Sequence, residues 1–258
     1  MSLPHFFLEH QVLSKETESP FELHLAADDI KHARVLRLAA GEHVAVVDAD
    51  SDYFECEVVS FEDKSLKVSI AQHLDAPSRP SVVLVQGLAK GDKMDTIVRH
   101  ATEVGIEEFV PLICSRSVVK LDKKKACSKV DRWKLIAKSA SMQSGRSSMP
   151  WVSAPLSVAD AVAYLRDVDA LIVCWEEADL TEDLSRALCD LPLSNKQRPV
   201  RIAVVVGPEG GLTRDEVDMF LKGHDHASMV TLGPTILRTE TAGIVAPALV
   251  FYELERQV

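Results

Sequence analysis

The 258-residue chain is poor in several features that mark whole protein classes. Cysteines number five, Cys56, Cys114, Cys127, Cys174 and Cys189, with no Cys-x-x-Cys pair among them. An odd count at irregular spacing argues against a disulfide framework or a zinc site, so these read as reduced, mostly packed thiols and no metal is expected. No apolar run reaches the roughly 20 residues that span a bilayer. Met1 to Leu8 lacks a basic stretch followed by a sustained apolar one, so a soluble, cytoplasmic protein without a membrane partner is expected. The glycine-rich loops match neither the dinucleotide nor the P-loop fingerprint. Gly87-Leu88-Ala89-Lys90-Gly91-Asp92-Lys93 has the wrong spacing for a phosphate loop and no Ser or Thr after its last lysine. Positive charge is also short overall, with a formal net charge of -10. There is no internal repeat and no low-complexity segment.

About half the residues are apolar, 47%, which suits one large or two modest domains with ample core. A net acidic chain argues against a nucleic-acid partner when only the sum is considered, because phosphate neutralisation supplies most nonspecific affinity. The distribution says otherwise. From Arg116 to Arg146 the chain carries Lys120, Lys123, Lys124, Lys125, Lys129, Arg132, Lys134 and Lys138 against only Asp122 and Asp131. That basic field fits a solvated helix face as well as a nucleic-acid contact.

Residues 1–75 read as a small strand-rich domain. Phe6 to Leu8 opens it, and Asp28 or Asp29 can cap a helix through Ile30, Ala33, Leu36 and Leu38 that stops at Gly41. Three β-type runs follow, His43 to Val47, Tyr53 to Phe61 and Ser65 to Ala71, separated by turn chemistry. Short strands on tight turns predict a small closed barrel. Two prolines in Ala76-Pro77-Ser78-Arg79-Pro80 mark a linker, about 76–81, ahead of a second domain over 76–258. There strands and helices alternate. Val82 to Gln86, Glu108 to Cys114, Ala170 to Trp175, Ala203 to Val206 and Met229 to Leu232 read as strands. Asp92 to Val104, Ser128 to Met142, Ser157 to Leu165, Leu180 to Leu188, the segment from Thr213 and Thr241 to Glu255 read as helices. The pattern predicts an α/β fold with a mostly parallel sheet covered on both faces.

Two bends stand out. The run Ala203-Val204-Val205-Val206 ends in Gly207-Pro208-Glu209-Gly210-Gly211, and Thr213 with Glu216 forms a capping box for the next helix. The run Met229-Val230-Thr231-Leu232 ends in Gly233-Pro234, and Leu237-Arg238-Thr239-Glu240-Thr241-Ala242 opens the last helix. Open α/β sheets bind ligands at such carboxyl ends of strands. Glycine also leaves room for a ligand to meet the backbone, although Gly-Pro-Glu-Gly-Gly by itself fits a plain tight turn equally well.

Taken together, the two bends resemble the last two signature motifs of the SPOUT methyltransferases. Within that class the chain is similar to the ribosomal RNA small subunit methyltransferase E family, which methylates N3 of a uridine. The resemblance covers nearly the whole chain. It implies a PUA-like RNA-binding barrel at residues 1–75, a deep trefoil knot in the sheet domain, bound S-adenosylmethionine and a homodimer with the last helix near its interface. It also implies ribosomal RNA in the small subunit as partner.

By the same resemblance, Gly207, Pro208, Glu209, Gly210 and Gly211 of the first bend hold the cofactor, with Leu232, Gly233, Ile236, Leu237 and Thr241 of the second. Arg34, Arg37, Lys90, Lys93, Arg116, Gln143 and Arg146 are the candidate RNA contacts. Glu103 is a candidate for orienting substrate or tying loops together. Two positions depart from the family pattern: His5 stands where an arginine is usual, and Met142 where glutamate is common. Trp133 fits a packed helix face better than a stacking platform.

Methyl transfer from a sulfonium is an in-line displacement, so the enzyme chiefly has to align donor and acceptor. Uracil N3 carries a proton at neutral pH, and a cation beside the flanking oxygens eases its loss. Arg238 is the first candidate for that cation, and a structural ion pair with Glu240 or Glu209 is its plainer alternative. Glu240 or Glu209 could accept the proton. A SPOUT enzyme acting on another RNA, and a noncatalytic RNA-binding assembly factor, remain alternatives at this level.

Overall fold

The computed structural model describes residues 3–77, 79–179, 183–189 and 198–256, which divide into two compact units. The first takes in the described residues up to Pro77 together with Lys138–Met149, and the second takes in the rest.

In the first unit, β1 (His5–Phe7), β2 (Phe21–Glu22), helix α1 (Ala27–Leu36), β3 (His43–Val47), β4 (Tyr53–Glu62) and β5 (Ser65–Leu74) follow in order. The strands pair as β1-β3-β4-β5-β2, with β1 parallel to β3 and the remaining pairs antiparallel. Alternate residues face inward, so Val44 and Val46, Phe54, Cys56 and Val58, and Leu66 and Val68 form the core with Phe6 and Phe21. The buried Gln11 side chain donates to Glu22 O at 2.9 Å and accepts from the His24 N–H at 2.8 Å, while its backbone carbonyl takes the Ala49 N–H. The segment after β1 is thus tied to β2 and to the turn after β3.

The expected cap of α1 is not the observed one. Ala26 occupies that position without a side-chain hydrogen bond, and Asp28 and Asp29 lie in the first turn, where carboxylates favour the helix dipole. Asp29 is buried and engaged by Lys138 at 2.7 Å, which removes it from capping.

The second unit is built on β6 (Ser81–Gly87), β7 (Glu108–Ile113), β8 (Trp151–Val152), β9 (Leu156–Ser157), β10 (Ala170–Cys174), β11 (Arg201–Val206) and β12 (Ala227–Val230). Its helices are α2 (Lys93–Val104), α3 (Lys123–Ser144) as far as Ala137, α4 (Val158–Tyr164), α5 (Leu184–Cys189), α6 (Arg214–Gly223) and α7 (Thr239–Glu255). The strands run β12-β10-β11-β6-β7-β8, with β9 also on β7, and every pair is parallel. Val82, Leu84, Ile202 and Val204 pack on one face with Ile97, Trp133 and Phe251. Val83, Val85, Ala203 and Val205 pack on the other with Val217 and Phe220. Burial on both faces is why these strands read as continuous apolar runs. Among the described residues no helix is long and apolar enough to cross a membrane.

Several boundaries differ from expectation: α3 begins at Lys123 and not Ser128, and α7 at Thr239 and not Thr241. The last strand spans Ala227–Val230 and not Met229 to Leu232, because its register on β10 ends at Cys174 opposite Val230. Beyond it, the Gly233 N–H donates to Thr231 Oγ1 at 3.3 Å and the Thr231 hydroxyl donates to Gly233 O at 3.0 Å, a local turn that takes the chain off the sheet. Of the helix expected from Leu180 to Leu188, the first three positions lie outside the described residues and α5 begins at Leu184. The Thr213–Glu216 capping box forms as read, with the Glu216 N–H on Thr213 Oγ1 at 3.3 Å and the Thr213 N–H on Glu216 Oε2 at 2.8 Å.

Candidate functional site

Parallel register brings four strand ends to one line, since Val230 pairs with Cys174, Cys174 with Val206, and Val206 with Gln86. The two glycine bends leave from β11 and β12, on either side of β10 in that line. Together they enclose a cleft of about 560 Å³ lined by Gly207, Pro208, Glu209 and Gly211 from one bend and Thr231 to Thr239 from the other. The end of β10 completes it with Cys174, Trp175 and Glu176.

The first bend is closely packed at its glycines. A Cβ at Gly211, where φ is +70°, would stand 2.1 Å from Glu176 Oε1, and one at Gly210 would stand 2.9 Å from Arg116 Cβ. Arg116 in turn donates from Nη1 to Gly210 O at 3.1 Å and to Leu212 O at 3.3 Å. The second bend is open. Gly233 has φ of +124° and no atom within 4 Å of where its Cβ would be, and Ile236 is 84% exposed. Arg238 is an exposed N-cap residue in extended conformation.

Two polar side chains fasten the bends to each other. The Thr239 hydroxyl donates to Gly207 O at 2.6 Å. Gln86, fully buried, donates from Nε2 to Thr239 Oγ1 at 2.9 Å and to Gly87 O at 3.1 Å, with Gly207 O at 3.4 Å. Its Oε1 lies 2.4 Å from where a Cβ on Gly243 would sit, so a glycine in α7 lets the amide lie flat against the helix.

Charge is concentrated at Lys93. Its Nζ lies 3.2 Å from Glu209 Oε1 and 3.1 Å from Glu240 Oε2, and the Lys90 N–H adds a bond to Glu209 Oε1 at 3.1 Å. The bond to Glu240, then that to Glu209, holds the Lys93 ammonium above its ordinary value. Glu240 is held below the ordinary carboxylate range, first by its own backbone N–H and then by Lys93. Burial pushes Glu209 up, but its own N–H, the Lys90 N–H and Lys93 together outweigh that and bring it below the range. Two ionised carboxylates therefore share one cation. Among the described residues no cluster of His, Cys, Asp and Glu suits a metal ion.

The structure gathers most of the expected cofactor residues. Gly207, Pro208, Glu209, Gly211, Leu232, Gly233, Ile236 and Leu237 line the cleft, as does Arg238. Gly210, Thr241 and Glu240 are not in its lining, and Thr239 is. Glu209 and Glu240 form their ion pairs with Lys93 and not with Arg238, whose charge acts on Glu240 only through space. Lys93 itself is committed to that pair.

Elsewhere in the second unit, Glu103 faces His100 at 3.0 Å. In the first unit Arg34 donates to the carbonyl of Asp63, and Arg37 closes α1 with φ of 57°. Arg146 donates to Ser148 at 3.2 Å, and Gln143 is exposed. His5 is buried, with Nε2 against Tyr53 Oη at 2.8 Å, and burial lowers its pKa, which favours the neutral imidazole. Met142 packs on the first unit's core, where a glutamate would lose its hydration.

Gln86, Trp175, Glu176 and Thr239 were not singled out from sequence. Gln86 did leave a trace, as an amide ending the apolar run Val82 to Val85. Trp175 and Glu176 follow β10 as Gly207 follows β11, but without glycine to mark the exit.

Residues 76–251 match the family described as RNA methyltransferase domain, and residues 25–71 match the RNA methyltransferase PUA domain. Ribosomal RNA small subunit methyltransferase E of Bacillus subtilis (strain 168) is 31% identical over 255 residues, 97% of this chain and 96% of that protein. A crystal structure of Ribosomal RNA small subunit methyltransferase E from Neisseria gonorrhoeae bound to S-adenosyl methionine superposes with a TM-score of 0.76 at 25% identity, covering 96% of both chains. The putative methyltransferase Lpg2936 from Legionella pneumophila, in complex with the cofactor SAM, gives 0.76 at 25% identity and covers 97% of both.

Proposed function

The chain belongs to the RNA methyltransferase domain family, with an RNA methyltransferase PUA domain ahead of it, and from that membership we propose that it methylates N3 of one uridine in 16S ribosomal RNA using S-adenosylmethionine. The observation that carries the reading is the convergence of both glycine bends on one cleft. A donor of this size fits, because about 560 Å³ falls in the usual range of small-ligand sites, and at Gly233 the backbone faces open space. When bound, the donor supplies an electrophilic methyl group on a positively charged sulfur.

The protein's own part is alignment and charge. Gly207 and Gly211 offer backbone groups at one wall, Leu232 and Leu237 supply apolar surface at the other, and Thr239 with Gln86 keeps the walls in register. Arg238 stands at the cleft, where its guanidinium stabilises negative charge on the uracil oxygens as the N3 proton leaves. Glu240 keeps Lys93 in place. A carboxylate held below its ordinary range is a weak base, which favours this structural role over proton removal.

The proposal extends to an RNA-binding domain at residues 1–75, a knotted methyltransferase domain at 76–258, and a cytoplasmic homodimer. Exposure of Leu249 at 37% and Tyr252 at 58% on α7 supports the second copy. Incubating the protein with small ribosomal subunits and isotope-labelled donor, then digesting the RNA to nucleosides, tests the activity. Label in 3-methyluridine is the expected result; label in another nucleoside, or none, refutes it.

A further inference from the structure

The three tryptophans have opposite environments. Trp133 is 1% exposed, with its indole N–H on Asp95 Oδ1 at 3.1 Å, and Trp175 is 4% exposed in the cleft. Trp151 is 61% exposed. It lies on β8, at the end of the strand order, where the sheet leaves an edge. Leaving so large an apolar ring in water forfeits the stabilisation that burial gives the other two. Lys134 of α3 places its Nζ 5.5 Å from the centroid of that ring.

The basic field thins out once its ion pairs are assigned. Lys125 pairs with Asp122, Arg132 with Asp95 and Lys138 with Asp29, and Arg116 is spent on the glycine bend. Among the described residues Lys123, Lys124 and Lys134 have no ion-pair partner, and all three are exposed. Eleven residues make about three helical turns, so Lys123 returns to the same face of α3 as Lys134, roughly 16 Å along the axis. Asp131 is the one carboxylate within α3. The result is a cationic stripe running up to an exposed aromatic ring, on a chain whose overall charge is negative.

We propose that Trp151 and the α3 stripe of Lys123, Lys124 and Lys134 form a docking face for single-stranded RNA, with a base stacked on the indole and phosphates on the lysines. This rests on the RNA methyltransferase reading and assigns it a surface outside the cleft. An apolar or acidic protein partner is the competing occupant. Charge complementarity selects a polyanion, and an aromatic ring accepts any base face, which duplex RNA keeps stacked inside.

The test uses the full chain and a single-stranded RNA oligonucleotide of about twelve nucleotides. With Trp133 and Trp175 buried, acrylamide quenching of tryptophan emission reports on Trp151. RNA should shield that emission in the wild type. Trp151→Ala should weaken RNA binding about tenfold, while Trp151→Phe restores most of the affinity. Lys134→Glu should lower the salt slope of binding by at least about one. S-adenosylmethionine binding and the melting temperature should not change in any variant. Unshielded Trp151 emission together with wild-type RNA affinity in Trp151→Ala overturns the docking face. Failure of methyl transfer with these RNA results intact would instead sink the activity and leave the surface standing.

Discussion

The Thr239 hydroxyl lies 2.6 Å from the carbonyl oxygen of Gly207, so the first residue of the last helix is bonded to the first residue of a bend that precedes it by 32 positions. Among the described residues, the Gly207 carbonyl without that bond keeps the longer contact to Gln86 at 3.4 Å. Thr239→Val conserves shape and deletes the donor. It should cost about 1 kcal/mol of stability and weaken S-adenosylmethionine binding several-fold, whereas Thr239→Ser should keep both. Calorimetry and thermal melts on the two variants decide this; equal donor affinity in the valine variant removes the bond from the design of the cleft.

Gly211 and Gly233 should fail differently when changed to alanine. At Gly211 the new methyl meets Glu176 Oε1 and a φ of +70°, so stability should fall by about 1–3 kcal/mol. At Gly233 the methyl meets nothing, but φ is +124° and the open space is the cleft itself. There the loss of donor binding should exceed what the strain does to the melting temperature. A Gly233→Ala protein that binds the donor normally would show that this space is not used.

Much of this was legible in the chain because each signal was local. Val82 to Val85 and Ala203 to Val206 are apolar at every position since both faces of a parallel strand are covered, and Thr213 with Glu216 caps a helix within four residues. Both bends were visible for the same reason. What was not legible depends on contacts between distant segments. Lys93 meets Glu209 and Glu240 only because β6 and β11 are neighbours, and the sequence offers it as an RNA contact without showing that it pairs with either carboxylate. The two-residue strands β8 and β9 have too few positions to show a period. Thr239 was passed over for Thr241, two residues on, since facing the cleft depends on where α7 starts.

Arg238→Ala should abolish methyl transfer while leaving donor affinity within a few-fold. The guanidinium is exposed at the cleft and neither Glu209 nor Glu240 holds it, so its removal orphans no buried carboxylate and stability should stay within about 0.5 kcal/mol. Single-turnover transfer beside equilibrium binding separates the two effects. Unchanged turnover would take Arg238 out of the chemistry.

The five cysteines should divide two to three in a native thiol-labelling experiment. Cys127 and Cys189 are exposed, whereas burial pushes Cys56, Cys114 and Cys174 up to about 12 and shields them from reagent. Mass spectrometry after a brief pulse at neutral pH should find label on the first two alone, and on all five after unfolding. Label on Cys174 in the native protein would mean that the cleft opens further than its walls suggest.

The Lys93 cluster sets the sign of the pH dependence. Glu209 and Glu240 have folded values below their ordinary 4.5, so what they add to folding is complete above that pH and is lost as the pH falls through the lowered values. Lys93 has a folded value above its ordinary 10.5, so its share is complete below that pH and is lost only as the pH rises through the raised value. Stability and donor affinity should therefore be flat between these limits as far as this cluster decides them. Lys93→Met should reverse the acid side. With the cation gone, two carboxylates that approach one nitrogen face each other unpaired, and protonating one of them relieves the repulsion. The variant should bind the donor several-fold more weakly at pH 8 and recover part of that loss as the pH drops toward 5, whereas the wild type stays flat over that range. Titration calorimetry across that range measures it, and parallel pH profiles in the two proteins would show that Lys93 does not hold the two glutamates together.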